Sequence, residues 1–252
     1  MVTAHAHHAI QIVVALDGCV AISGNDGEWC EARGLVVRPD AEHSFDCNGA
    51  FGVMVFVDPE SSEGAWLSTS LRQDITIIPD TRLDAMVPAL RTFAEQPDES
   101  AAIAPLVRQC IQGLRPGLAP TRRLDSRVTT VLDAIRVSDD LRMSLDQAAA
   151  KACLSSTRFA HLFRDQVGLP FSRYMLWRKL TRAMVAVASE GTIAAAAHAA
   201  DFADAAHLTR TFYQMVGMAP SVLMRGDFIE IPSPFNTLSG DVARPRLPRP
   251  AE

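Results

Sequence analysis

The sequence predicts an α+β protein made of two unlike domains, a small β-barrel followed by an all-α domain. Three observations predict it. Residues 9–57 are a string of short β-rich runs broken by Gly, Asn, Asp and Pro. From about residue 126 the apolar spacing is helical almost throughout. Within that helical stretch the same pattern occurs twice, 48–49 residues apart. A chain of 252 residues has room for two cores.

The β-rich runs are "AIQIVVALDG", "CVAISGNDGEW", "GLVVRP" and "FGVMVFVDP". "SGNDGE" at residues 23–28 supplies the Asn-Asp-Gly chemistry of a hairpin turn. Short strands at such spacing form a barrel or a sandwich, and residues 1–79 are assigned to it. Between 80 and 115 the period becomes helical. Leu83, Val87 and Leu90, then Ile103, Leu106, Val107, Cys110, Ile111 and Leu114, recur every three or four residues, with Pro88 and Pro105 expected near helix starts. These stripes either complete the barrel's core or form a dimer contact, and the dimer is favoured. "RPGLAPT" opens a linker placed at 116–125. The helical domain is expected over 126–225. Residues 226–252, with five prolines in the last 22 residues, read as a flexible tail.

Composition narrows the function. Apolar residues make up 48% and charged residues 21%, the balance of a soluble protein. No apolar run reaches eighteen residues, which excludes a helical membrane span, and the start lacks the features of a secretory signal. Cys19, Cys30, Cys47, Cys110 and Cys153 are scattered and never in CxxC spacing, as expected of reduced thiols in a cytoplasmic protein. The net charge of −5 conceals a division. Residues 1–120 carry 7 Lys/Arg against 16 Asp/Glu, whereas residues 121–225 carry 14 against 9. Only the latter segment is suited to a polyanion.

The repeat aligns "SLDQAAAKACLSSTRFAHLFRDQVGLPFSRYML" (144–176) with "TIAAAAHAADFADAAHLTRTFYQMVGMAPSVLM" (192–224). Each copy has an apolar residue (Leu145, Ile193), an alanine pair (Ala148–Ala149, Ala196–Ala197), a turn, and an apolar pair on a second helix (Phe159/Phe163, Leu208/Phe212). Each then ends in Val-Gly at 167–168 or 216–217. Alanines let the second helix cross the first closely, and the glycine stops it. This is the layout of a helix-turn-helix unit, whose second helix enters a DNA major groove. Two such units joined by a helix over roughly 170–188 can reach successive major grooves, about 34 Å apart, from a single chain.

"AADFADAAHLTRTFYQMVGMAPSVLM" resembles the signature of the AraC/XylS transcription regulators, and "LSSTRFAHLFRDQVGLPFSRYM" resembles their first unit. The resemblance implies a promoter-binding regulator, an activator, that works with RNA polymerase and often as a homodimer. It also implies a cupin-like β-barrel in front that senses a small-molecule effector. The expected base readers are Thr157, Arg158 and His161 in the first copy and His207 and Arg210 in the second. Arg210 is the strongest, because Arg reaches guanine O6 and N7 together. Arg164, Arg173, Arg178, Arg182 and Thr209 are expected phosphate contacts, with an internal salt bridge as the alternative for Arg178. Two departures stand out. Cys153 and Asp201 occupy turn positions where the family usually has Gly, and Cys tolerates a left-handed backbone poorly, so the first turn is expected to be distorted. Ala205 and Ala206 replace polar base readers.

The amino-terminal region carries its own motif. His5, His7, Gln11 and Gly18 resemble the first cupin motif with Gln in place of Glu, and Gly34, Pro39 and His43 resemble the second. The resemblance implies that His5, His7 and His43, with Gln11 beside them, converge inside the barrel. They would contact an organic effector or one another, and the alternative is that they hold a divalent metal. No cofactor is required by this reading. No GxSxG, Walker or GxGxxG motif is present, and Asp58 and Glu60 are expected to be solvated, so an enzyme is not predicted. The competing assignment is a cupin metalloenzyme or metallosensor fused to a DNA-binding domain.

Overall fold

The computed structural model describes residues 1–95, 105, 111, 113, 114, 124–138 and 140–225. The chain divides near residue 122 into two compact units. Most of the expected second helix of the 80–115 segment, most of the 116–125 linker and the 226–252 tail lie outside the described residues.

The first unit contains two four-stranded antiparallel sheets. Strands β1 (Val2–His5), β6 (His43–Asp46), β3 (Val20–Ser23) and β4 (Trp29–Ala32) form one, in the order β1-β6-β3-β4. Strands β7 (Gly52–Val57), β2 (Ile10–Ala15), β5 (Gly34–Val37) and β8 (Ile75–Ile77) form the other, in the order β7-β2-β5-β8. The β3–β4 hairpin turns through the predicted Asn-Asp-Gly segment. There Gly27 adopts φ 75°, and its N–H reaches Gly24 O at 3.0 Å. The two sheets share a core: Val13 and Ala15 of β2 and Leu35 and Val37 of β5 pack with Val20, Ile22 and Phe45 of the opposite sheet. Alternation along β2 puts Gln11 on that same inward side.

Two helices accompany the sheets. Helix α1 (Ser62–Ser70) starts at Ser61, whose hydroxyl accepts the Gly64 N–H at 3.0 Å. Helix α2 (Asp80–Glu95) lies close over β5. A side chain at Gly34 would meet Leu83 Cδ2 at 2.6 Å. Leu83, Met86 and Leu90 are buried. The α2 part of the stripe, Leu83 and Leu90, therefore packs inside its own unit, because the outer face of an apolar sheet must be covered. Pro88 sits inside α2 and not near its start. The Thr92 hydroxyl donates to Pro88 O at 3.0 Å in the turn that follows.

In the second unit several helix boundaries have a local chemical reason. Helix α3 (Ser126–Arg136) is capped by Asp125. Helix α4 (Leu145–Lys151) begins with a complete capping box of Ser144 and Gln147. Helix α5 (Ser156–Val167) is capped by Ser155 and stopped by Gly168 at φ 96°. The 20-residue α6 (Phe171–Glu190) ends at left-handed Gly191. Thr192 caps α7 (Ile193–Ala199). The Asp204 carboxylate accepts the His207 N–H at 2.6 Å at the start of α8 (Ala205–Val216). Pro220–Arg225 forms a 3-10 turn. The core around the first copy is aromatic: Phe163 lies 5.6 Å from Phe159, 5.3 Å from Phe171 and 5.4 Å from Tyr174, ring centre to ring centre. All four are buried, together with Ala148 and Ala149.

Candidate nucleic-acid interface and interior histidine cluster

The two copies have the same turn. In the first, Cys153 N–H bonds Ala150 O at 3.0 Å and Leu154 N–H bonds Ala149 O at 2.9 Å. In the second, Asp201 N–H bonds His198 O at 3.2 Å and Phe202 N–H bonds Ala197 O at 2.9 Å. Cys153 (φ 54°) and Asp201 (φ 59°) both take the left-handed conformation. The first turn is thus not distorted, contrary to expectation. Its hydrogen bonds outweigh the modest cost of a left-handed Cys. The extra residue of the second copy is Ala203, inserted between the buried Phe202 and the capping Asp204.

From the helix starts onward the register is constant, and it defines one outward face. On α5, Thr157, Arg158, His161, Arg164 and Asp165 are exposed. The matching α8 positions are Ala206, His207, Arg210, Tyr213 and Gln214, of which all but His207 are exposed. His207 is half-buried with its ring 5.2 Å from Phe202, edge to face. Arg173 is exposed at the start of α6. Other expected contacts have work inside the domain. The half-buried Thr209 donates its hydroxyl to Ala205 O at 2.8 Å, and half-buried Arg182 donates to Ser138 O at 2.9 Å. Arg178 is half-buried on α6. Tyr213 and Gln214 were missed, although the 49-residue register maps them onto Arg164 and Asp165. His161 and Arg164 also border an open cleft of about 520 Å³ with Arg142, Met175 and Lys179.

The interior of the first unit holds the second feature. His5 ends β1 opposite His43 on β6, His7 follows β1, and Gln11 projects from β2. All four are buried. His7 Nε2 lies 2.8 Å and His43 Nε2 3.0 Å from Gln11 Oε1. The ring centroids of His5 and His43 are 4.2 Å apart. Burial lowers the pKa of all three imidazoles, that of His7 to about 4 and that of His43 to about 3, so the cluster is neutral near pH 7. Nδ1 of His43 lies 3.0 Å from Ala41 O and must carry the proton there, which leaves Nε2 with a bare lone pair facing Gln11. Either the Gln11 amide presents its NH2 to that lone pair, or a cation lies between the two. One nitrogen from each ring lies within 4.8 Å of the others, close enough for small ring rotations to bring three neutral imidazoles onto one ion. The residues fit a nitrogen-ligated divalent metal.

A neighbouring pair was not expected. His8 is buried with Nδ1 2.9 Å from Asp40 Oδ2 and Nε2 2.7 Å from Glu60 Oε1. Burial opposes its charge, but hydrogen bonds and attraction from Asp40 and Glu60 prevail and raise its pKa to about 9. Glu60 is buried beside it and not solvated as expected. Only the folded chain brings residues 8, 40 and 60 together.

Two helix-turn-helix units in one register, joined by a continuous helix and presenting exposed cationic faces, define a DNA-binding protein. Residues 148–226 match the model of a helix-turn-helix domain family. The chain is 22% identical over 234 residues to a probable transcriptional regulator, LumQ, of Photobacterium leiognathi, covering 87% of this chain and 90% of that one. The fold is similar to that of ToxT from Vibrio cholerae O395, with a TM-score of 0.56 at 9% identity over 88% of this chain and 93% of that one. It is also similar to wild-type ToxT from strain SCE256 bound to an unsaturated fatty acid, with a TM-score of 0.55 at 9% identity over 88% and 91% of the two chains. The match places a helix-turn-helix domain in the helical unit, and the similarity to ToxT is one of fold. Among the described residues no helix is long and apolar enough to cross a membrane.

Proposed function

We propose that the chain is a cytoplasmic transcription activator that reads a promoter with α5 and α8 in successive major grooves. A small-molecule effector bound between its two sheets controls that reading. The constant register of the two outward faces carries it, because two helices with the same exposed positions offer matched side chains to two matched grooves. Arg158, His161 and Arg210 read base edges, while Arg164 and Arg173 hold phosphates and set the register. The effector site is the interior around His5, His7, Gln11 and His43, whose buried polar groups suit a small ligand with hydrogen-bonding groups. That a ToxT structure holds an unsaturated fatty acid supports a small organic effector. Engagement of RNA polymerase and assembly into a homodimer belong to the same reading.

The test is a pair of variants. Arg210→Ala should relax preference at one base position, a loss of roughly 1–3 kcal/mol of discrimination, as measured by binding to every single-base variant of a selected site. Arg173→Ala should weaken all duplexes alike and lower the salt slope by about one. Parent-like behaviour of both variants would refute the groove assignment.

The bare His43 lone pair beside Gln11 favours a second reading, in which the effector is a divalent metal held by His5, His7 and His43. Elemental mass spectrometry of untagged protein, with His43→Ala beside it, separates the two. Metal near one per chain that vanishes in the variant supports the metal, and metal-free protein that still binds DNA supports an organic effector.

A further inference from the structure

We propose that Asp201 is a positioning residue for DNA recognition: it ties the second helix-turn-helix unit to the first and fixes the separation at which α5 and α8 meet DNA. This inference rests on the reading that both helices enter grooves.

The equivalent turn residues behave differently. Cys153 is exposed. Asp201, with only 13% of its side chain exposed, reaches across to residues some sixty positions earlier. Its Oδ1 accepts from Arg142 Nε at 2.8 Å and stands 2.6 Å from Nη2, while its Oδ2 accepts the Leu141 N–H at 3.3 Å. Its backbone carbonyl accepts from Lys179 Nζ at 3.1 Å. Three pieces therefore meet on one residue: the segment that leads into α4, the connecting helix α6, and the turn that launches α8. Leu141 is itself buried in the core of the first helix-turn-helix unit, so the carboxylate grips a fixed point. Arg182 of α6 holds the same entry segment at Ser138 O, 2.9 Å away.

Besides these ties, the continuous helix α6 joins the two helix-turn-helix units. That helix is bounded by left-handed Gly168, three residues before its start, and by Gly191 at its end. Glycine joints leave rotational freedom. Charge-assisted, two-nitrogen bonding between Arg142 and Asp201 removes it, because the guanidinium fork fixes direction as well as distance. The placement of the carboxylate needs the left-handed backbone, which Asp adopts at modest cost.

The test uses the full chain. Asp201→Gly keeps the left-handed turn free of strain but deletes the carboxylate. Arg142→Gln removes the partner at a side chain that is 73% exposed and leaves the turn untouched. Sites are selected from a randomised duplex library with the wild-type chain. Affinities are then measured for the selected duplex and for duplexes with one or two base pairs inserted between its subsites. The wild type should lose roughly tenfold or more per inserted pair, the scale of one misplaced base contact. Both variants should bind the selected duplex more weakly and lose only about threefold on insertion, a flattened spacing profile that mere destabilisation does not produce. In parallel, spin labels on non-natural residues at positions 158 and 214 report the interhelix distance without DNA, and its distribution should broaden in both variants. A spacing profile as steep in the variants as in the wild type overturns the proposal. If no duplex is selected, the DNA reading itself has failed, and a distance distribution that stays narrow overturns the tie as well.

Discussion

At the scale of single residues the first unit is poised between opposing protonation demands. The folded pKa values of His7 and His43 are depressed to about 4 and about 3 by burial. The stability they contribute is present above pH 6.5, the unfolded value, and is lost as pH falls from there toward 3. The pKa of His8 is raised to about 9, so its contribution is complete below pH 6.5 and is lost as pH rises through 9. Burial also pushes the Glu60 carboxyl up to about 8, so its contribution is lost as pH rises from about 4.5 through 8. That loss partly offsets the gain from the two histidines below pH 6.5 and adds to the loss above it. The first unit should therefore be most stable near pH 6.5. Hydrogen exchange of peptides from residues 1–57 at pH 4.5, 6.5 and 9 should show protection highest at the middle value, and a monotonic profile would contradict this. Cys153 gives a second residue-scale prediction. It holds φ 54° while exposed, so Cys153→Gly should stabilise the second unit by about 1 kcal/mol, visible as a rise of a few degrees in its melting temperature.

At the scale of elements, the repeat works because each recognition helix spends one face on its core and keeps the other bare. Phe163 and Phe212 are each 0% exposed and occupy the same place in their copies. Phe212→Ala should cost about 3–5 kcal/mol and abolish DNA binding through loss of α8's seat, with urea unfolding as the measure. The Asp204 cap is the milder probe. Asp204→Ala removes the acceptor of the His207 N–H at the α8 start and should cost about 1 kcal/mol, with base preference retained. The repeat made both helices visible in the sequence, and local capping chemistry placed their ends. Helix α1 was missed, since its apolar residues follow no amphipathic stripe. Pro88 was misplaced because tertiary packing of α2 over β5 carries the helix through it.

On the scale of the whole molecule, charge is divided so that only the second unit attracts DNA. Arg158, Arg164, Arg173 and Arg210 are the exposed cations of α5, the α6 start and α8. If Arg164 and Arg173, the two assigned to phosphates, neutralise about two of them, raising salt from about 50 to 200 mM should weaken binding roughly tenfold. The acidic residues of 1–120 should leave that slope unchanged, so a fourfold shallower dependence would show that these arginines do not face the backbone.

The meeting of the interior histidines was implied by the resemblance to cupin motifs, and by itself the sequence determined the two-domain architecture and the doubled helix-turn-helix pattern. Those features rest on periodicity, turn chemistry and short-range spacing, which are local and so are written along the chain. Tertiary structure alone decided three other things: the His8–Asp40–Glu60 contact, the burial of the α2 stripe within its own unit, and the tie from Asp201 to Arg142. Each joins residues tens of positions apart. No local propensity encodes such a meeting, which exists only once packing has fixed which surfaces face one another.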